Sequence, residues 1–300
     1  MSEDLTAGDM SCCASCGTAE VDNSQLKKCA CKLVKYCSIQ CQKNHRPQHK
    51  KECKKRVAAL HDQILIKQPE SSHMGDCPIC FLPLLLDVKK STLMACCSKT
   101  ICKGCQVANT IREMEEMLEQ RCPFCRDILP TTQTESNKNL MRRAEANDPV
   151  ALRELGKMYD NDGDYKSAFQ YWTKAAVLGD AEAHCQISNL HWTGQIKRDT
   201  KKGIHHLEQA AIGGHPTARY NLGTVEADNG NLERAAKHHV IATNLGFDES
   251  AKKLREYYKR GWVTKETFAA ALRAHQAAVN ATKSPHRDAA DERLRGNTIM

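Results

Sequence analysis

Aromatic residues and long apolar runs are scarce in this chain of 300 residues. Phe, Trp and Tyr together account for 5% of the sequence. The longest apolar segment runs from Phe81 to Leu86 and is interrupted by Pro83, whereas a membrane-spanning helix needs about 18–20 apolar residues in a row. We therefore predict no transmembrane segment.

Features that would point to export or to catalysis are also missing. Residues 1–25 contain no basic stretch followed by an apolar run, so no secretory signal is visible. We expect an intracellular protein, cytoplasmic or nuclear. Residues 140–281 contain no nucleophile paired with a base and no glycine-rich phosphate loop, which favours a binding role for that half.

Cysteine, by contrast, is abundant and unevenly placed. Sixteen of the 17 cysteines lie between Cys12 and Cys125, and only Cys185 lies beyond them. In a reducing compartment, cysteines at two-residue spacings bind metal more often than they form disulfides. We therefore expect a zinc-rich N-terminal part, and Cys185 as a small core residue of an ordinary C-terminal part.

The positive net charge of the chain nearly disappears once bound zinc and its thiolate ligands are included. The formal net charge of +8 treats every cysteine as neutral, but zinc-bound cysteines are thiolates. Fifteen ligand thiolates contribute −15 and four zinc ions +8, so the formal +8 falls to about +1. We therefore do not expect nucleic acid to be a partner.

The first cysteine cluster supplies eight donors within about forty residues: Cys13, Cys16, Cys29, Cys31, Cys37, Cys41, His49 and Cys53. Eight sulfur and imidazole donors suit two tetrahedral zinc ions. His49 and Cys53 are four residues apart and share one face of a helical turn. Two alternatives stay open from spacing: Cys12 in place of Cys13, and His45 in place of His49.

The segment CACKLVKYCSIQCQKNHRPQHKKEC (residues 29–53) resembles the second half of a MYND-type zinc finger. One departure is that a single residue separates Cys29 from Cys31, where two are usual. The resemblance implies a docking module for short, often proline-containing peptides. It also implies interleaved ligands: Cys13, Cys16, Cys37 and Cys41 at one zinc, and Cys29, Cys31, His49 and Cys53 at the other.

A short connection follows the first cluster. Val57, Leu60 and Ile64 recur at helical spacing and predict a short helix, and residues 69–75 have the composition of a linker.

A second set of eight donors then begins: Cys77, Cys80, Cys96, Cys97, Cys102, Cys105, Cys122 and Cys125.

The two Cys-Pro-hydrophobic-Cys pairs of this second cluster resemble those of a RING domain. Lys99 occupies the place where most RING domains have a histidine, so the resemblance is to the all-cysteine subtype. Neighbouring cysteines at one ion are sterically demanding, which makes Cys96 the least secure ligand. The implied pairing places Cys77, Cys80, Cys102 and Cys105 at one zinc, and Cys96, Cys97, Cys122 and Cys125 at the other.

RING domains commonly act as ubiquitin ligases by positioning a charged conjugating enzyme. The resemblance implies contacts to that enzyme from Ile79 and Pro123 and a bridging cation at Arg126. Gln106 departs from the pattern, because many RING domains have an aromatic residue there. An amphipathic helix is predicted on the zinc core, with Glu113 on its solvated face and four apolar positions at helical spacing: Val107, Ile111, Met114 and Leu118.

The remaining sequence contains a repeat of 32–35 residues. Its first landmark is Leu155-Gly156, which recurs as Ile187-Ser188, Leu222-Gly223 and Leu254-Arg255. Its second landmark, AAVLGD (residues 175–180), recurs as AAIGGH and ATNLGF. The landmarks alternate, so each unit is a helix–turn–helix, and Pro149 and Pro216 mark helix starts. The pattern resembles Sel1-like repeats, which bind partners, with a degraded fourth unit as cap.

We therefore predict a mainly α-helical protein with two small zinc-stapled α+β modules, a MYND-like finger and a RING-like cross-brace, followed by an α-helical-repeat superhelix. The expected segments are a disordered N-terminus (1–12), the MYND-like finger (13–53), a helix and linker (54–76), the RING-like finger (77–126), a linker (127–139), about four repeats (140–281) and a disordered tail (282–300).

Two functions are compatible with this organisation. The first is a RING-type ubiquitin ligase in which residues 77–126 recruit a conjugating enzyme, while the MYND-like finger and the repeats bind a substrate or partner. The alternative is a non-enzymatic adaptor with structural zinc only.

Overall fold

The structure is a computed structural model that describes residues 12–20 and 26–296, with side chains as far as residue 293. It divides into two compact units, residues 1–67 and residues 68–300, which are described separately. Most of the predicted disordered N-terminus lies outside the described residues. No helix in the described ranges is long and apolar enough to cross a membrane.

The first unit consists of a small antiparallel pair and one long helix. Strand β1 (Lys27–Lys28) pairs with β2 (Lys35–Tyr36), and α1 spans Ile39–Leu65. Ser38 caps α1 by accepting a hydrogen bond from Cys41 N at 3.1 Å. The short helix predicted after residue 54 is thus the second half of α1. Its predicted apolar stripe is exposed at Val57 and Ile64.

The second unit begins with the RING-like module, residues 77–126. Strands β3 (Ser91–Met94) and β4 (Lys99–Cys102) form an antiparallel hairpin, with Ser91 opposite Cys102, and α2 spans Lys103–Glu115. Leu84, Met94 and Ile101 are buried together with the cysteines.

The predicted polarity of the RING-like helix is wrong at its C-terminal end. Glu113 is buried, and its Oε1 accepts from Arg121 N at 3.3 Å. Met114 is exposed although it lies inside α2, and Leu118 is exposed beyond the end of the helix at Glu115.

In the part of the chain that the structure describes, nine further helices follow this module and form a stack: α3 (Gln133–Glu145), α4 (Pro149–Asn161), α5 (Tyr165–Val177), α6 (Ala181–Thr193), α7 (Thr200–Ile212), α8 (Pro216–Asp228), α9 (Leu232–Asn244), α10 (Asp248–Lys259) and α11 (Lys265–Ala281). Proline occupies the first turn of α4 and α8, as predicted. Helix α3 extends into the predicted linker 127–139. At its start, Thr132 Oγ1 accepts from Glu135 N at 3.2 Å and Glu135 Oε2 accepts from Thr131 N at 3.0 Å, and this pattern, close to a capping box, specifies a helix locally.

The small residues that recur in the repeats let the two helices of each repeat approach closely. A Cβ added at Gly156 would lie 2.4 Å from the Trp172 ring, and one at Gly223 would lie 2.8 Å from His239. In the second repeat, the Ser188 hydroxyl donates to the Gly203 carbonyl at 2.8 Å. The fourth repeat has Arg255 at this position, and its side chain is exposed. The fourth repeat therefore lacks the small residue that the first three repeats have at this position.

The predicted disordered tail contains a twelfth helix, α12 (Pro285–Gly296). It packs against α2, and a Cβ on Gly104 would lie 2.9 Å from Arg287 N, so only glycine fits there. Arg287 is buried and donates to the carbonyls of Pro83 and Thr282, each at 2.7 Å. The prediction of a disordered tail was wrong for residues 285–296. The charged composition suggested disorder, but Arg287 is held by hydrogen bonds to main-chain oxygens, which composition does not indicate.

The RING-like module and the repeats share one core. Ala95 is buried with Leu152 and Trp172, and Leu93 packs against the same cluster. The predicted linker before the module is also held: His73 N donates to Gly214 O at 3.1 Å, and Asn244 Nδ2 donates to Gln68 Oε1 at 3.0 Å. Residues 68–300 therefore form one compact unit.

Candidate metal centres

The structure gathers the expected donors into four groups of four, with the ligand atoms of each group within 4.8 Å of one another: Cys13, Cys16, Cys37 and Cys41; Cys29, Cys31, His49 and Cys53; Cys77, Cys80, Cys102 and Cys105; Cys96, Cys97, Cys122 and Cys125. The interleaving is the one that the two resemblances imply. Cys12 is in none of these groups.

In the first unit, the start of α1 delivers ligands to both groups. Cys37 Sγ lies 3.5 Å from both Cys16 Sγ and Cys41 Sγ. In the neighbouring group, His49 Nε2 lies 3.1 Å from Cys31 Sγ. These distances between donor atoms suit ligands of one zinc ion, which binds nitrogen and sulfur at about 2.0–2.3 Å.

His45 does not replace His49. Its Nδ1 lies 3.0 Å from the hydroxyl of Tyr36, and its ring stacks on His49 with the centroids 5.4 Å apart. His45 is thus held by the buried Tyr36 and packs on the ligand His49 from outside the tetrahedron.

In the RING-like module, the adjacent cysteines reach the same group. Cys96 Sγ lies 3.3 Å from Cys125 Sγ, and Cys97 Sγ lies 3.7 Å from Cys122 Sγ. A tight turn after β3 makes this possible, since both Cys97 N and Ser98 N donate to Met94 O. The strain of this turn appears at Ser98, whose φ is 57°.

The electrostatics of the groups favour a cation. Burial raises the pKa of the Cys77 thiol, but backbone N–H groups outweigh it and lower that pKa to about 7. Main-chain donors likewise outweigh burial at Cys13 and lower its pKa to about 6. Hydrogen bonding to Cys41 raises the pKa of Cys37 to about 12. Thiolates are therefore favoured at Cys13 and Cys77, and a bound dication would stabilise the thiolate of a neighbour such as Cys37.

All four groups have the composition of structural zinc sites. Each supplies four protein donors, three or four of them sulfur, which completes a tetrahedron around zinc. No coordination position is left for water or substrate. The protein is therefore a zinc-binding protein, and its four tetrads fit zinc ions that stabilise folding.

The three predicted conjugating-enzyme contacts are accessible to different degrees. Ile79 is 39% exposed, Arg126 is exposed and Pro123 is partly buried. Arg126 ends its cysteine knuckle at a φ of 63°, just as Phe81 ends the first knuckle at 57°. Gln106 is engaged within its own module, where Lys103 Nζ donates to its Oε1 at 2.9 Å.

The geometry described above defines a zinc-finger protein with an α-helical repeat domain. Comparison with protein families makes this specific. Residues 13–53 match the MYND finger, and residues 149–180 and 181–215 match the Sel1 repeat. The chain thus contains a MYND zinc finger followed by Sel1 repeats. The RING character of residues 77–126 stays a resemblance, supported by two tetrads of the expected spacing.

The solved structures similar to this chain include two repeat proteins. The Sel1 repeat protein from Oxalobacter formigenes is 21% identical, with a TM-score of 0.44 over 58% of this chain and 73% of that one. Another is c5321, a protective antigen of uropathogenic Escherichia coli displaying an SLR fold, at 19% identity and a TM-score of 0.39. It is matched over 56% of this chain and 37% of its own length. No curated protein matches the chain.

Proposed function

We propose that this protein is a zinc-stabilised scaffold that binds other proteins. The observation that carries the proposal is that all sixteen ligand atoms of the four tetrads come from the chain itself. Zinc held in this way shapes surfaces and activates no water. Two modules of interaction families then flank the RING-like module. The proposal includes a reducing intracellular compartment, because ligand cysteines must stay reduced.

The peptide-binding part of the proposal concerns the MYND finger. We expect the zinc-loaded full chain to bind members of an array of short proline-containing peptides. Cys53→Ser should abolish this binding, because it removes one ligand of the second zinc and opens the finger. Arg126→Ala, an exposed change in the other unit, should leave it intact. Failure of every peptide to bind, or equal binding by Cys53→Ser, would contradict this part.

A second candidate is ubiquitin ligase activity, which is supported by the exposure of Ile79 and Arg126. The test is an in vitro ubiquitination assay across a panel of conjugating enzymes. Ligase activity predicts ubiquitin chains that are reduced by Ile79→Ala and by Arg126→Ala. Protein with all four tetrads loaded that makes no chains with any enzyme of the panel would leave the scaffold as the function.

A further inference from the structure

Three titratable side chains outside the four tetrads converge on one point of the second unit. His73 comes from the segment before the RING-like module, Glu182 from the first turn of α6, and His215 from the N-cap of α8. Glu182 Oε2 lies 2.9 Å from His215 Nε2 and 3.4 Å from His73 Nε2. One donor atom from each residue lies within 4.8 Å of the other two.

The surroundings hold these donors in place. Gln186 Nε2 donates to the other carboxylate oxygen of Glu182 at 2.6 Å, which directs Oε2 between the two imidazoles. The two rings stack with their centroids 4.0 Å apart, and the main chain of His73 is tied to Gly214. Within the described residues, the buried His73 Nδ1 has no hydrogen-bond partner.

Two imidazolium ions stacked at this distance would repel each other, so both rings cannot be charged together. In the structure, Nδ1 of His215 accepts from Ala218 N, so its Nε2 donates to Glu182. Binding of a cation among the three side chains requires the other tautomer, with the ring proton on Nδ1 and the Nε2 lone pair facing the ion. Two imidazole nitrogens and one carboxylate oxygen are a donor set that zinc accepts with a fourth position open.

We propose that His73, Glu182 and His215 form a fifth zinc site, which fastens the segment 68–75 to the repeats. Zinc binds the Nε2 atom of each imidazole in its neutral form, with the ring proton on Nδ1. At His215 this displaces a contact from Ala218 N, whose 3.3 Å separation from Nδ1 makes it a long hydrogen bond.

The fourth position of this site faces a cleft. His73 and Glu182 lie in the wall of a cavity of about 770 Å³, which is also lined by Leu93 of β3 and by Val150 and Lys157 of α4. Water or an anionic group can therefore reach the ion. The other four sites use four protein donors each, so we expect the fifth zinc to exchange faster.

The test counts zinc in the full-length protein after equilibration with a buffer of fixed free zinc concentration, using elemental analysis. We expect five ions in the wild type and four in His73→Gln and Glu182→Gln. His206→Gln, a partly buried histidine elsewhere in the repeats, is the matched control and should keep five. His73→Gln decides the matter, because His215 also caps α8 and its loss perturbs the helix.

Cobalt provides a second readout. The three proposed ligands bind through nitrogen and oxygen, and Cys185, whose side chain lies beside His215, is not among them. The last equivalent of cobalt should therefore add d–d absorption without the sulfur-to-metal charge transfer that the four tetrads produce. Four ions in the wild type and in His73→Gln alike, with only a lower melting temperature in the variant, would overturn the proposal. In that case the triad is a hydrogen-bonded ion pair and nothing more.

Discussion

At the scale of single residues, the positions of the sulfur atoms decide two open assignments: Cys96, the least secure predicted ligand, and Cys12, the alternative to Cys13. Cys96 Sγ lies against Cys125, whereas Cys12 is outside every tetrad. We expect Cys96→Ser to lose one zinc and to raise hydrogen exchange across residues 77–126, since the metal supplies folding energy. Cys12→Ser should bind as much zinc as the wild type. Zinc loss in Cys12→Ser alone would reverse the assignment.

Arg287 offers a second test at this scale. Its guanidinium donates to Leu82 O and Pro83 O, and its Nη2 lies 3.6 Å from the ligand Cys80 Sγ. Hydrogen bonds to a charged group are worth about 1.5–3 kcal/mol each, so Arg287→Ala should cost on the order of 3 kcal/mol. It should also free α12, as measured by urea unfolding and by hydrogen exchange over residues 285–293. The exposed Arg293→Ala on the same helix is the control and should change neither.

At the scale of helices, the close contact between α4 and α5 is the most sensitive point. Trp172 Nε1 donates to Arg153 O at 3.1 Å, and Gly156 provides the space for its ring. Gly156→Ala adds a methyl group that would overlap the Trp172 ring. It should therefore destabilise the second unit by about 1–3 kcal/mol or more. Thermal unfolding is the measurement. Lys157→Ala, one residue on and exposed, should stay within about 0.5 kcal/mol of the wild type.

Asp148, the N-cap of α4, makes the free energy of unfolding depend on pH. Burial of Asp148 acts to raise its pKa, but hydrogen bonding to Arg143 outweighs this and lowers it. A lowered folded-state pKa contributes stability above the unfolded-chain pKa of about 3.9, which is lost as the pH falls through the folded value. Asp148→Asn should therefore be less stable than the wild type at pH 7, by a difference that shrinks below about pH 4 in urea unfolding.

The alanine variant separates the charge of Asp148 from its capping role. Asp148→Ala also removes the oxygen that accepts from Val150 N at 3.0 Å. We expect an additional loss of about 1 kcal/mol relative to Asp148→Asn. A difference between Asp148→Asn and the wild type that is constant from pH 7 to pH 3 would contradict the ionic contribution.

At the scale of the whole molecule, zinc in the RING-like module should stabilise the repeats. Ala95 belongs to the same buried core as Leu152 and Trp172, so unfolding the module exposes part of that core. We expect Cys77→Ser to lower the melting temperature of the helical signal at 222 nm, although it changes no repeat residue. Cys12→Ser is the control. An unchanged melting temperature in Cys77→Ser would mean that the repeats fold without the module.

The sequence was sufficient for features with local or periodic signals. Cysteine spacing predicted all four tetrads, and the alternation of Leu155-Gly156 with AAVLGD predicted the helix pairs. The pattern of Thr132 and Glu135, close to a capping box, was visible and would have revealed α3. Contacts between distant segments had no such signal. The buried Glu113 and Arg287 have ordinary charged identities, and only the fold supplies their main-chain partners.

The bonds of Arg287 have a consequence for biosynthesis. They join α12 to carbonyls 204 and 205 residues earlier in the chain. At about 5–20 residues per second, a ribosome needs roughly 10–40 s to make that stretch. During this time the first knuckle of the RING-like module lacks its last protein partner. A chain that lacks α12 would leave the Gly104 face of α2 uncovered.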